Sequence, residues 1–194
     1  VQILLAAGAD VNQGSTGDDT TALTWAAQKG HAEVVRMLLA GGADTNHVRP
    51  IDGATALMMA SHKGHAEVVR VLLAAGVDIN QASTDTGQTA LMAAAQEGHA
   101  EAVRILLAEG HADVHQGMAE SGTTALMLAS HGGHAQVVHI LLAAGADVNQ
   151  AKTSDGMTAL MLASLQGHGE VVRILLANGA DLNLAWTGMA NGAD

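Results

Sequence analysis

Cysteine is absent from the 194-residue chain, as are phenylalanine and tyrosine, and proline occurs once, at Pro50. Without cysteine, disulfide staples and thiolate metal sites are excluded. The composition suits a reducing compartment, so a cytoplasmic location is expected. Two Trp are the only aromatic residues. The interior must therefore be filled by many small aliphatic contacts, which suits thin regular layers better than one thick core. Positive charge is also scarce: 8 Lys and Arg stand against 19 Asp and Glu, for a formal net charge of −11. Scattered singly, these cations do not build the basic face that phosphates require, which argues against nucleic acid. Anionic membrane surfaces are disfavoured for the same reason. No apolar run approaches the ~20 residues that span a bilayer. The chain opens Val1-Gln2-Ile3-Leu4-Leu5, a start that reads as truncated.

What the sequence does contain is a period. Thr-Ala-Leu begins at Thr21, Thr55, Thr89, Thr124 and Thr158. Gly-His recurs at Gly30, Gly64, Gly98, Gly133 and Gly167, and Leu-Leu at Leu4, Leu38, Leu72, Leu106, Leu141 and Leu175. Each series steps by 34 except for one step of 35, which assigns His111 as an insertion. Each unit divides alike. Thr offers its hydroxyl to the start of a short helix, and a glycine such as Gly133 suits a left-handed stop. A second helix follows, with an apolar stripe such as Val137, Val138, Leu141 and Leu142. It ends at Gly145, and a polar loop leads to the next Thr. Helices of about nine residues are marginal alone and must bury their stripes against neighbouring units.

Fragments such as TALTWAAQKGHAEVVRMLLAGGADTN resemble the ankyrin repeat over nearly the whole chain. The resemblance implies an all-α solenoid of helix-turn-helix units with hairpin-like loops. The expected division is a partial repeat over 1–12, repeats over 13–46, 47–80, 81–115, 116–149 and 150–183, and a tail over 184–194. The tetratricopeptide repeat shares the period but expects longer helices and a Trp, Gly and Tyr pattern missing here. Two departures stand out. The family's Thr-Pro-Leu-His is Thr-Ala-Leu-Met here, or Thr-Ala-Leu-Thr at Thr21, and the loop is one residue longer than the commonest form. Neither end carries a polar capping repeat, so the chain reads as part of a longer array.

The Gly-His histidines are weighed as structural, hydrogen-bonding backbone groups as the resemblance implies, and not as catalytic groups. His62 with His65 and His131 with His134 form H-x-x-H pairs, but zinc wants three or four ligands, so no metal is assigned. Met58, Met92, Met127 and Met161 are read as core filling, and Trp25 as a cover for the incomplete N-terminal end. Glu33–Arg36, Glu67–Arg70, Glu101–Arg104 and Glu170–Arg173 form i,i+3 pairs on a solvated face, each worth about 0.2–0.5 kcal/mol. An acid precedes each Thr-Ala-Leu: Asp18, Asp52, Asp85, Glu120 and Asp155. They are expected in one row roughly 8–10 Å apart, too sparse for calcium or a paired-carboxylate site. Such a row is close enough for the fields to add in part. Plain turn chemistry explains the same residues equally well.

Residues just before each Gly-His vary between units: Gln28 and Lys29, His62 and Lys63, Gln96 and Glu97, His131 and Gly132, Leu165 and Gln166. Residues freed from packing are where a ligand footprint can sit. No catalytic residue, cofactor or phosphate loop is assigned, and an enzyme is not expected. The expected activity is protein binding by a monomer. The partner is a protein or peptide with a basic or mixed surface, held on the concave face and the acidic tips. The alternative is a spacer within a larger repeat protein. The resemblance also implies that loop Asn12, Asn80, Asn149 and Asn183 are candidates for hydroxylation.

Overall fold

The computed structural model describes residues 8–184, which hold ten helices in five pairs. The first helices are short: α1 (Ala22–Lys29), α3 (Ala56–His62), α5 (Ala90–Gln96), α7 (Ala125–His131) and α9 (Ala159–Leu165). The second helices are α2 (Ala32–Ala40), α4 (Ala66–Ala74), α6 (Ala100–Ala108), α8 (Ala135–Ala143) and α10 (Gly169–Ala177). First helices pack on the first helices of adjacent pairs, second helices on second, and the two rows pack on each other. This is the all-α solenoid the period implies. Most of the expected leading half-pair and of the tail lies outside the described residues.

Each element begins where its sequence says it should. The hydroxyl oxygens of Thr21, Thr55, Thr89, Thr124 and Thr158 accept from the backbone N–H three residues on, at 3.3 to 3.4 Å. Removing such a cap costs about 1 kcal/mol. Between pairs, the chain makes hairpin-like tips. Arg49 N–H bonds Ala54 O at 3.0 Å, Ser83 N–H bonds Gln88 O at 2.9 Å, and Lys152 N–H bonds Met157 O at 2.9 Å.

The core is one continuous strip. Leu23, Leu57, Leu91, Leu126 and Leu160 come from the first helices, and Val35, Val69, Val103 and Val138 from the second. The Leu-Leu pairs split by depth. Leu38, Leu72, Leu106, Leu141 and Leu175 are buried, whereas Leu39, Leu73, Leu107 and Leu142 are only partly covered. Leu73 therefore buries less apolar surface than Leu72. The helical phase puts the first leucine under the stripe and the second at its margin. Met58, Met92 and Met127 are buried, and Met161 is half-buried at the C-terminal end of the described array.

The single 35-residue unit shows how an extra residue is absorbed. In three other units the loop after the second helix closes over five residues, with Ala43 N–H to Leu38 O, Ala146 N–H to Leu141 O and Ala180 N–H to Leu175 O all at 3.0 Å. Here Ala112 N–H reaches Leu106 O across six, at 3.0 Å. His111 takes the left-handed turn at φ 56°, a place held by glycine in the other units. A Cβ at Gly110 would stand 2.1 Å from Ile79 Cδ1, so the Ile79 side chain would have to turn aside for any larger residue there.

On the outer row, cations reach between pairs more than within them. Arg36 bridges Glu33 and Glu67, and Arg70 meets Glu101 at 3.0 Å and Glu109 at 3.1 Å. Arg104 meets Glu101 at 3.5 Å. Among the described residues, the expected Glu67–Arg70 and Glu170–Arg173 pairs do not form. A cross-pair carboxylate lies along Arg70's reach, and exposed ion pairs of either kind are worth little singly.

Candidate functional site

The Gly-His residues turn out to be staples between pairs. His65 Nε2–H donates to Gln28 O at 3.0 Å, His99 to His62 O at 3.0 Å, His134 to Gln96 O at 2.8 Å, and His168 to His131 O at 2.9 Å. Each ring lies over the glycine of the preceding pair. A Cβ at Gly30, Gly64, Gly98 or Gly133 would stand 2.5 to 2.6 Å from the ring's Nδ1. Glycine is therefore needed twice over at these places, for its left-handed φ of 71° to 77° and for the ring above it. With these rings engaged on carbonyls, the H-x-x-H spacing does not assemble a ligand pair. His65 turns to Gln28 O, while His62 Nδ1 lies 3.7 Å from Glu97 Oε1.

A second ladder went unread in the sequence. Asn12 Oδ1 accepts from Asp44 N–H at 2.7 Å, Asn46 from Asp78 at 2.9 Å, Asn80 from Asp113 at 2.9 Å, and Asn149 from Asp181 at 2.8 Å. Each of these Asp residues also accepts the N–H two residues on, as Asp44 does from Asn46 at 3.0 Å. The recurring Asp-x-Asn was the available signal. An isolated turn explains the Asp, but only the stacking of the next unit gives the Asn side chain its partner.

With both ladders assigned, some of the remaining side chains, Asp52, His62 and Asp85 among them, lie together. A groove of about 280 Å³ runs between two loop tips and the first helices. Arg49, Asp52, Asp85 and Gln88 line its loop side, and Met59, His62 and Ala93 its helix side. Trp25 occupies the register of Met59 and Ala93 one pair earlier. It keeps 45% of its surface exposed. Gln28, Lys29, His62, Lys63, Gln96, Glu97, His131, Leu165 and Gln166 all retain exposure along the last turns of the first helices or just beyond them. Leu165 is 70% exposed and faces an apolar cavity of about 630 Å³ with Met161, Leu182 and Leu184.

A family profile described as ankyrin repeats, in three copies, matches residues 1–83, 41–118, 81–152 and 111–185. The chain belongs to the ankyrin repeat family. Comparison with curated protein sequences finds no match. Ankyrin repeats are generally protein–protein interaction modules and typically not enzymes. No helix among the described residues is long and apolar enough to cross a membrane.

The acids at the ankyrin loop tips are first of all turn formers. Asp18 accepts from Ser15 Oγ and from Thr20 N–H, and these bonds, the Ser15 hydroxyl foremost, hold its carboxyl down at about 2. Asp52 takes two bonds from the Arg49 guanidinium and one from Ala54 N–H at 3.0 Å, and the guanidinium lowers its pKa. Asp155 is held low by Met157 N–H at 3.0 Å and by Lys152 Nζ, also at 3.0 Å. Asp85 accepts from Thr86 N–H at 2.6 Å. The row is thus not a uniform anionic strip. Arg49, bonded to Asp52 and 3.9 Å from Asp18, and Lys152, bonded to Asp155, offset three of its members, whereas Glu120 makes no hydrogen bond or ion pair among the described residues.

Proposed function

We propose that this ankyrin array holds a protein or peptide in the angle between its loop tips and its first helices. One observation carries the reading: the side chains just before each Gly-His differ from pair to pair, and neither ladder and no core layer uses them. Trp25 and Met59 supply an apolar anchor toward the N-terminal end. Gln28, Lys29, His62, Lys63, Gln96 and Glu97 supply polar contacts beside it, and His131, Leu165 and Gln166 continue the face. Asp18, Asp85 and Glu120 at the tips, with Glu97, favour a partner with a basic or mixed surface, helped by the formal charge of −11. Asp52 and Asp155 act there as paired groups through Arg49 and Lys152. The lack of cysteine suits work in a reducing compartment such as the cytosol.

The test is capture of a partner by the chain, followed by titration calorimetry with variants. Trp25→Ala with Met59→Ala should weaken binding by 2 kcal/mol or more, about thirtyfold, as central aromatic anchors do. Arg70→Ala on the outer row should leave affinity unchanged. Affinity should fall as salt rises. A partner indifferent to the groove variants but lost with Arg70→Ala would overturn the assignment.

A further inference from the structure

The joints between ankyrin pairs are not fastened alike. From the first pair to the second, three polar links cross: His65 to Gln28 O, Asn46 to Asp78 N–H, and Arg36 to Glu67. From the second to the third, the same three classes recur: His99 to His62 O, Asn80 to Asp113 N–H, and Arg70 to Glu101. From the fourth to the fifth, His168 bonds His131 O, Asn149 bonds Asp181 N–H, and Thr153 N–H adds a bond to Ser121 O at 2.9 Å. Among the described residues, the third and fourth pairs, though their helices pack on each other, share only the histidine link as a polar bond, His134 to Gln96 O.

Each missing link has a named cause. His115 stands where the other units carry asparagine, and Asp147 N–H finds no side-chain acceptor among the described residues. Gln136 stands where Glu67 and Glu101 receive an arginine from the pair before, so Arg104 turns back to Glu101 of its own pair at 3.5 Å. The loop just before the joint is the widened one, with His111 in the left-handed region. Gln116 reaches back to Asn80 O at 3.4 Å, so the loop root stays with the preceding pairs and the joint begins after it. Three independent changes thus converge on one of four joints.

We propose that the array opens at this joint, so that α1–α6 and α7–α10 behave as two cooperative bodies. Local opening follows the units with the fewest cross-links, and a solenoid is held together only by contacts between neighbours. The binding face proposed above then has two segments, Trp25 through Glu97 and His131 through Gln166. Their relative angle can change without disturbing either core.

The test is hydrogen exchange by mass spectrometry on the whole chain across a denaturant series. The amides of α7, α8, α9 and α10 should exchange together, about tenfold faster than the core amides of α1–α6. Simple fraying from the end would instead release α9 and α10 well ahead of α7 and α8, and that pattern overturns the proposal. A repaired joint, His115→Asn with Gln136→Glu, should slow exchange in α7–α10 by at least about fivefold, as one restored hydrogen bond would. It should also bring the two groups toward one transition. Asn46→Ala removes a link elsewhere and should leave the boundary after α6. If the repaired chain keeps the original separation, or if all ten helices exchange as one unit from the start, the joint is not the weak place.

Discussion

Replacing Leu72 by alanine tests the layer assignment most directly. The Leu72 side chain is wholly buried between α4 and its neighbours, and a Leu to Ala change removes three carbons from that site. At about 0.8 kcal/mol per buried carbon, the transfer contribution is ~2.4 kcal/mol. Short helices fixed at both ends by Thr55, Gly64 and His65 leave little room for collapse, so a residual cavity brings the cost to about 3–4 kcal/mol. The same change at Leu73, which is only partly covered, should cost roughly half as much. Urea unfolding followed by circular dichroism reads both, with the slope held fixed to show that only stability has changed. Equal losses for the two variants, or a larger loss at Leu73, would mean that the helices are rotated from the orientation described.

Gly64→Ala and Gly167→Ala form a matched pair. Both glycines have left-handed φ, 71° and 76°, but only Gly64 lies under a histidine, His99. The strain alone should cost about 1 kcal/mol at Gly167, and displacing the ring should raise this to about 2–3 kcal/mol at Gly64. Equal melting temperatures for the two variants would refute the staple. For Asp18, the folded carboxyl titrates at about 2, below the ordinary value of 3.8. Its contribution to the turn is therefore present above about pH 4 and lost as the pH falls toward 2. A carboxyl NMR titration should find the low midpoint, and Ser15→Ala should move it upward; a midpoint unchanged by that substitution would remove the hydroxyl as its cause.

Much of the ankyrin fold can be read before any coordinates. The Thr caps, the glycine stops and the stripe in the second helices are local effects, each written within about ten residues. Buried Met58, Met92 and Met127 follow from the same periodicity. Properties that depend on a neighbour are less legible. The histidines are recognisable as backbone-bonding, but the carbonyl they choose belongs to the preceding pair. The asparagine ladder needs an amide 32 or 33 residues away, so the sequence does not name the partner of Asn46 or Asn80. The depth difference between Leu72 and Leu73 depends on helix rotation, which two adjacent identical residues do not reveal.

The distance in sequence from capping threonine to the Gly-His histidine is ten residues in every unit, including the lengthened one, while the extra residue of that unit sits at His111. A ring and the glycine beneath it must meet in register, so the Thr-to-His segment cannot gain or lose a residue without unseating the next pair. The turn after the second helix has no such obligation. Changes in unit length are therefore tolerated on that side of the molecule, and one unit can grow there while its neighbours keep their phase.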